Sequence, residues 1–308
     1  MISKRIMIAT LSALLCAYCA ASYAQEKRTT GDTFEIGGIL QQGGFVRGRI
    51  PAGSNAYVQG KLIPTSSTGH FILGLDRDAP GKVDILLRSD SDEQAMTLSV
   101  APRTYREGQV ISGLNRNSLG RPVDDPLGPD DLFPAEDEAA IATRSARSPS
   151  LSSGSISRAE QSQKKSSALQ SRADIDGFME DWTSPFDVPY PISSPWGAAR
   201  TVRGNPRIHY GVDIAAPLGA DIKAPASGVV TLAATDYYYE GGVVFIDHGL
   251  GLTSIYLHMS EVDVSEGDVV EQGELLGKVG AEGRATGAHL CWRLYWNGRE
   301  IKLDPQGF

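Results

Sequence analysis

Short apolar runs, separated by breaks that contain glycine or proline, recur along most of this 308-residue chain and restrict its fold class. In the first half these runs lie at 34–40, 45–50, 56–63, 70–75, 83–88 and 95–100. Runs of this length and spacing are typical of strands in an antiparallel β-sandwich. The second half has further runs at 228–233, 243–247, 253–258, 268–270, 275–279 and 290–296. The chain is therefore predicted to be mainly β, with a hairpin turn at Asn297-Gly298.

Shifts in composition divide the chain into consecutive segments. We expect a β-sandwich-like domain over 31–112 and an acidic, proline- and serine-rich linker over 113–156. Such a linker has too few apolar residues to form a core of its own. A helical segment is predicted over 157–184, and a second β-rich domain over 190–308.

Two patterns support the helical segment. Ser157 and Glu160 have the spacing of a capping box, which begins a helix. Further along, four apolar residues at i, i+3, i+4 and i+7 are predicted to form one face of a helix: Ile175, Phe178, Met179 and Trp182.

The first 24 residues have the pattern of a secretory signal peptide. Lys4 and Arg5 precede an apolar stretch at 6–20, and Ser22-Tyr23-Ala24 has the small-x-small form of a cleavage site. The stretch is too short for a membrane span. We therefore expect export to the periplasm or cell envelope. A lipoprotein anchor at Cys16 is the alternative, which the bulky Leu15 disfavours.

The number of cysteines and the net charge limit the functions and partners that the chain can have. Cys16 and Cys19 would leave with the signal peptide, so Cys291 would be the single cysteine of the mature chain, without a disulfide partner. The formal net charge of -8 argues against nucleic acid or an anionic membrane surface as partner, since both require a basic face.

Residues that can bind a metal concentrate in the last third of the chain. Asp213 follows His209 by four positions, and His289 and Cys291 have the period-two spacing that places both side chains on one face of a strand. Nitrogen, oxygen and sulfur ligands of this kind suit zinc. His248 is interpreted as a turn or supporting residue rather than a ligand. The tyrosines at 237–239 could line a peptide groove or form a packed loop.

Several motifs in this region resemble the lysostaphin/LytM-type zinc metallopeptidases, which cleave peptide cross-bridges of bacterial peptidoglycan. The matching motifs are His209-Tyr210-Gly211-Val212-Asp213, Ala224-Pro225, Ile246-Asp247-His248-Gly249, Tyr256-Leu257-His258-Met259 and Gly283-x-x-Thr286-Gly287-x-His289. They occur in the family's order over about a third of the chain, which makes the resemblance specific.

The resemblance implies a role for each matching residue. His209 and Asp213 match the first two zinc ligands, and one Zn²⁺ ion per chain is expected. His258 matches the histidine that orients or deprotonates the attacking water. His289 matches the first histidine of the family's His-x-His motif, beside the scissile carbonyl. The second histidine of that motif is the third zinc ligand, and Cys291 takes its place here.

This substitution leaves two interpretations of Cys291 open. As a thiolate ligand it would add negative charge beside Asp213, which would make the metal a weaker Lewis acid. As a small buried residue it would belong to a decayed site. The resemblance implies an exported zinc metalloendopeptidase that hydrolyses peptide cross-links of peptidoglycan during wall remodelling or division. The alternative is a catalytically degenerate module that binds and activates a cell-wall amidase, or another division partner.

Overall fold

The computed structural model describes residues 28–30, 34–51, 53–89, 93–107, 109–111, 156–202 and 205–307. The predicted signal peptide and nearly all of the predicted linker lie outside these residues. Strands make up 45% of the structure and helices 6%, which confirms the prediction of a mainly β fold. Among the helices described, none is long and apolar enough to cross a membrane.

The N-terminal part consists of two four-stranded antiparallel sheets, with strand orders β1-β2-β3-β6 and β5-β4-β7-β8. Alternate side chains of each sheet pack into one core; in β7, for example, Val83, Ile85 and Leu87 are buried. The strands are β1 Arg28–Thr30, β2 Phe34–Gly38, β3 Phe45–Arg49, β4 Asn55–Val58, β5 Lys61–Ile63, β6 His70–Gly74, β7 Lys82–Arg88 and β8 Glu93–Ser99.

The run at 56–63 is a hairpin, so the prediction of one continuous strand there was wrong. Strands β4 and β5 pair antiparallel across a turn at Gln59 and Gly60. Both turn residues have positive φ, 48° and 81°. Two consecutive residues of this kind form the tight turn whose twist suits a hairpin. Because the first turn position is usually asparagine, aspartate or glycine, the glutamine found here gave no indication of a turn.

The C-terminal part is built around a ten-stranded sheet whose main path is β10-β13-β20-β17-β16-β15-β18. Strands β14, β19 and β21 extend it at the side, and β9, β11 and β12 form a separate three-stranded sheet. The strands are β9 Gln109–Ile111, β10 Ile192–Ser194, β11 Ala199–Val202, β12 Asn205–Ile208, β13 Val212–Ile214, β14 Asp221–Lys223, β15 Gly228–Tyr237, β16 Gly241–Asp247, β17 Leu252–Val262, β18 Val269–Val270, β19 Leu275–Val279, β20 Leu290–Trp296 and β21 Ile301–Leu303. Strands β20 and β21 pair across Asn297-Gly298, which confirms the predicted hairpin.

Helix α1, Arg158–Ala168, begins at the predicted capping box. The Ser157 hydroxyl accepts a hydrogen bond from the Glu160 N–H, and the Glu160 carboxylate accepts one from the Ser157 N–H. The helix packs against β15 on the large sheet. The capping box thus correctly marked where this helix begins.

The predicted helical face at 175–182 was wrong, because only a short 3₁₀ turn, Gly177–Met179, forms there. Two backbone hydrogen bonds close this turn, and the rest of the segment bonds to neighbouring loops: the Phe178 N–H donates to His248 O at 2.9 Å, and the Thr183 N–H to Pro225 O at 3.0 Å. Gly177 lies so close to Ser227 O that a Cβ would come within 1.9 Å of it. Tertiary contacts therefore override the helical spacing of the apolar residues.

The two parts of the molecule share one apolar core. The cluster of buried residues that fills the sandwich also includes Leu252, Leu294, Trp296 and Leu303 from the large sheet. At Gly74 a Cβ would lie 2.7 Å from the Ile301 side chain. The Arg103 guanidinium also pairs with the buried Asp304 carboxylate at 2.6 Å. The division into domains at the predicted boundaries remains a prediction.

Candidate metal centre

Three of the residues singled out in the sequence meet where β13 runs beside β20. These strands are antiparallel, and their register places Asp213 directly opposite Cys291. His209 lies just before β13, and its backbone bonds to Gly197 and Ala198. The His209 Nε2 atom is 3.1 Å from Asp213 Oδ1 and 3.4 Å from Cys291 Sγ. All three side chains are buried.

The donor set fits a tetrahedral zinc ion. The three ligand atoms lie within 4.8 Å of one another, and no other such group occurs in the described part of the chain. Usual zinc bond lengths and tetrahedral angles give ligand separations of about 3.4 Å for N···O and about 3.6 Å for N···S. The two measured distances are close to these values. Small side-chain adjustments would therefore suffice to hold the ion.

The environment of His209 keeps its ring neutral. Burial, the largest effect, lowers the pKa of His209 to about 4. The other ring nitrogen, Nδ1, is 3.2 Å from the Ser194 hydroxyl, to which it can donate its hydrogen. In the metal-free protein Nε2 lies 3.1 Å from the Asp213 carboxylate and can donate its own hydrogen to it. When a metal binds, the hydrogen would lie on Nδ1 and leave the Nε2 lone pair directed toward the other two ligands. This is the tautomer that a metal-binding histidine requires.

Asp213 is held as a carboxylate. Burial raises its pKa, but His209 and Arg200 act in the opposite direction, and the net pKa lies well below the usual value. The Arg200 guanidinium is 3.5 Å from Asp213 Oδ2. Oδ1 is left facing His209 and, at 3.8 Å, the His289 Nε2 atom. Asp213 is therefore ionised and has one oxygen directed into the site.

Cys291 is a thiol in the protein without metal. Burial raises its pKa to about 12, and the nearby guanidinium of Arg293 is the main influence in the opposite direction. A metal ion would bind the thiolate and release the proton. Arg293 follows Cys291 by two positions in β20, so both side chains lie on one face, and both are buried.

The two arginines were not among the predicted site residues. The period-two spacing of His289 and Cys291 extends to Arg293, so the sequence could have indicated that Arg293 lies at the site. Arg200 comes from β11, a strand of the separate three-stranded sheet. No local pattern connects it to Asp213, and only the folded chain brings them together.

His258 lies in β17 with its ring beside that of His289, the centroids being 4.7 Å apart. The His258 Nδ1 atom is 2.8 Å from the Glu282 carbonyl oxygen, which can only accept, so the ring hydrogen is on Nδ1. Burial and then the charge of His289 lower the pKa of His258 to about 3. The ring is therefore neutral near pH 7, and its Nε2 atom is able to accept a proton.

His289 lies directly before β20 and is half-buried. Its Nδ1 atom is 2.9 Å from the Gly287 carbonyl oxygen, and hence Nδ1 carries the ring hydrogen. Its Nε2 atom accepts a hydrogen bond when the ring is neutral and donates one when the ring is protonated. The five predicted site residues thus lie in one place.

The remaining histidine of this region lies elsewhere. The His248 ring nitrogens are 2.7 Å from Ser227 O and 2.7 Å from the Ser254 hydroxyl, and the ring packs on Trp182. The tyrosines at 237–239 belong to a packed loop: Tyr237 and Tyr239 are buried, and Arg158 of α1 stacks on the Tyr238 ring. These contacts support the packed-loop interpretation.

His248 leads to a prediction about acid stability. Burial lowers its pKa from 6.5 to about 4, so the unfolded chain binds a proton at a higher pH than the folded chain does. This group has no effect on the free energy of unfolding well above pH 6.5 and lowers it as the pH falls from 6.5 to 4. Between about pH 7.5 and pH 5 we expect a loss of about 2 kcal/mol from this histidine alone.

Urea unfolding of wild type and of His248→Gln at both pH values measures the effect. The variant should lose about 2 kcal/mol less than wild type between the two pH values, because glutamine does not titrate. The other buried histidines contribute equally to both proteins. Equal pH dependence in the two proteins would rule out the assigned pKa.

Comparison with known proteins identifies this β-rich domain. Residues 207–303 match peptidase family M23. The DD-carboxypeptidase/endopeptidase Mpg of Neisseria meningitidis is 39% identical over 111 residues, which cover 36% of this chain and 25% of that protein. The peptidoglycan DD-endopeptidase ShyA of Vibrio cholerae is 34% identical over 119 residues, or 38% of this chain and 27% of that protein. The chain thus matches about a quarter of the length of these relatives.

A solved structure extends the similarity beyond this domain. A protein from Pseudomonas aeruginosa described as a peptidase M23 superposes with a TM-score of 0.53 and 27% identity. The superposition covers 86% of this chain and 93% of that one. Residues 207–303 thus match a peptidase family M23 domain, which confirms the resemblance drawn from the motifs.

Proposed function

We propose that this protein is an exported zinc metalloendopeptidase that hydrolyses peptide cross-links of bacterial peptidoglycan. One observation carries the proposal: a nitrogen, an oxygen and a sulfur ligand atom converge beside two histidine rings within an M23 domain. The name of the Vibrio relative, a peptidoglycan DD-endopeptidase, supports the substrate class. Export rests on the signal-peptide pattern of residues 1–24.

His209, Asp213 and Cys291 would hold the zinc ion. When bound, zinc supplies a Lewis acid that polarises the scissile carbonyl and lowers the pKa of water. Three protein ligands with one position left open are typical of catalytic rather than structural zinc sites. The guanidinium groups of Arg200 and Arg293 lie beside the two anionic ligands and offset part of their charge.

His258 would act as the general base. The Glu282 carbonyl fixes the ring hydrogen on Nδ1, so Nε2 is free to take the proton of the attacking water. Its low pKa keeps the ring neutral in the resting protein. The same hydrogen bond stabilises the ring once it is protonated, because Nδ1–H then becomes a stronger donor.

His289 would stabilise charge at the scissile bond. Its Nε2 atom is directed toward the ligand carboxylate, and in the protonated ring it can donate a hydrogen bond to the developing oxyanion. A protonated His289 can also pass its proton to the leaving amine, with the Nδ1–H···O bond to Gly287 keeping the ring oriented. The substrate would be a direct cross-link between stem peptides.

Digestion of purified peptidoglycan tests the proposal. We expect the mature protein, residues 25–308 with zinc added, to remove cross-linked dimers, as read by mass spectrometry of the released fragments. Treatment with a chelator should stop the digestion, and zinc should restore it.

The alternative role makes a different prediction for the same sample. A degenerate module would leave the dimers intact even with zinc bound and would instead increase digestion by an added cell-wall amidase. That pair of results would overturn the endopeptidase proposal in favour of the amidase-activating module.

A further inference from the structure

We infer that helix α1 positions His258 through a buried ion pair between Lys165 and Glu240. This inference deepens the proposed function and rests on it, because it concerns how the general base is oriented. Lys165 and Glu240 are positioning residues, which act on the reaction only through His258.

The backbone of His258 has a conformation that needs support. Its φ is +68°, in the left-handed region that residues other than glycine rarely adopt. Such a conformation persists only where neighbouring groups hold it in place. Two bonds do so here: the His258 N–H donates to Glu240 O at 2.8 Å, and the ring Nδ1–H donates to Glu282 O at 2.8 Å.

The two loops that provide these carbonyl groups are packed tightly against each other. A Cβ on Gly241 would lie 2.3 Å from the Glu282 Cβ, and one on Gly283 would lie 2.4 Å from Tyr239 O. The Arg284 N–H also donates to Tyr239 O at 2.8 Å. Since there is no space between the loops, a shift of the loop at 238–241 would move both partners of His258 together.

One face of α1 holds this loop. Three residues at i, i+3 and i+7 point toward it: Arg158, Gln161 and Lys165. The Gln161 side-chain oxygen accepts from the Tyr238 N–H at 3.1 Å, and the Arg158 guanidinium donates to the Tyr239 hydroxyl at 3.3 Å. Lys165 pairs with the Glu240 carboxylate. Three consecutive residues of the loop thus each bond to this one face of the helix.

The ion pair is the most deeply buried of these contacts. Both side chains are 2% exposed, and the second carboxylate oxygen of Glu240 has no hydrogen-bond partner within the described residues. Burial of two charges is costly, and removal of one partner leaves the other uncompensated. The orientation of Glu240, and with it the carbonyl that holds His258, therefore depends on Lys165.

Replacement of Lys165 by methionine tests the inference, with Lys164→Met as the matched control. Lys164 is its neighbour on the same helix and is exposed. We expect Lys165→Met to lower kcat by about 10- to 100-fold, because a small displacement of a catalytic group has effects of that size. KM and bound zinc should not change, since the ligands lie on other elements. Lys164→Met should behave as wild type.

A readout independent of peptidase activity follows the His258 ring directly. The method is NMR of protein labelled with ¹⁵N-histidine. The ring nitrogen shifts of the wild type should show His258 in the Nδ1–H tautomer, and the His258 signal is assigned by its absence in His258→Asn. In Lys165→Met this signal should shift toward an average of the two tautomers, while Lys164→Met keeps the wild-type signal. This measurement stands even if the wild type fails to digest peptidoglycan, which would count against the proposed function alone.

A second variant covers the case in which Lys165→Met does not fold. The double variant Lys165→Met/Glu240→Gln leaves no unpaired buried charge, yet it still lacks the ion pair. It should show the same fall in kcat and the same change in the His258 signal. Wild-type kcat together with a wild-type His258 tautomer, in whichever of these variants folds, would overturn the inference.

Discussion

Replacement of His258 by asparagine is expected to lower the rate of cross-link hydrolysis by about 10²- to 10⁴-fold, the usual contribution of a general base. Zinc should remain bound, because none of the proposed ligands is changed. Asparagine is chosen because it tolerates the left-handed backbone of this position better than alanine does. The measurement is the rate of loss of cross-linked dimers, together with metal analysis of the same sample.

His70→Asn is the control for this substitution. His70 is a histidine of the sandwich whose ring contacts Thr68 and Phe178 rather than the site. It should digest peptidoglycan at the wild-type rate. A His258→Asn protein that retains zinc and cleaves as fast as wild type would remove His258 from the role of general base.

Replacement of Cys291 by alanine is expected to weaken zinc binding by on the order of 10³-fold, since one of three protein ligands is lost. Hydrolysis should be lost with the metal. In wild type, binding should also release a proton, because burial raises the pKa of the free thiol to about 12. Zinc affinity of the wild type should therefore rise with pH, and that of the variant should do so less steeply.

His289→Ala separates loss of the metal from loss of the chemistry. His289 lies two residues before Cys291 on the same face of β20, but it is not a proposed ligand. This variant should keep zinc and lose turnover. Cobalt substitution gives direct evidence of the thiolate through a sulfur-to-metal charge-transfer band. If Cys291→Ala bound zinc as tightly as wild type, the thiolate would be excluded from the ligand set.

The surroundings of Cys291 bear on the two interpretations left open by its sequence. A second anionic ligand should weaken the metal as a Lewis acid. Two guanidinium groups reduce that effect: Arg200 lies 3.5 Å from the Asp213 carboxylate, and Arg293 lowers the pKa of the thiol. Positive charge placed beside both anionic groups is consistent with a ligand role for Cys291 rather than with a decayed site.

Contacts between residues that lie a short, regular distance apart in the sequence could be predicted. The period-two spacing predicted that His289 and Cys291 lie close together, and both are found beside Asp213. The spacing of His209 and Asp213 likewise predicted that these two meet. The capping box at Ser157 located the beginning of a helix. In each case the geometry is set within a few residues, so local spacing carries the information.

Features that depend on distant contacts could not be predicted in this way. The apolar spacing of Phe178 and Trp182 indicated a helix, but these side chains pack against the core shared with the sandwich, and the backbone bonds to His248 and Pro225. Arg200 reaches Asp213 from another sheet. Lys165 and Glu240 are 75 positions apart, and no pattern in the sequence around either residue predicted their ion pair.

The apolar core shared by the sandwich and the large sheet has a consequence for how the chain folds. Trp296 and Leu303 find their packing partners among residues that are more than two hundred positions earlier, such as Gly74. These large-sheet residues are therefore buried only where the sandwich packs against them. Cys291 of the candidate metal centre lies on the strand that also carries Leu294 and Trp296, so this strand is packed on by residues from the beginning of the chain. Removal of the sandwich should therefore expose part of the apolar surface of the strand that carries Cys291.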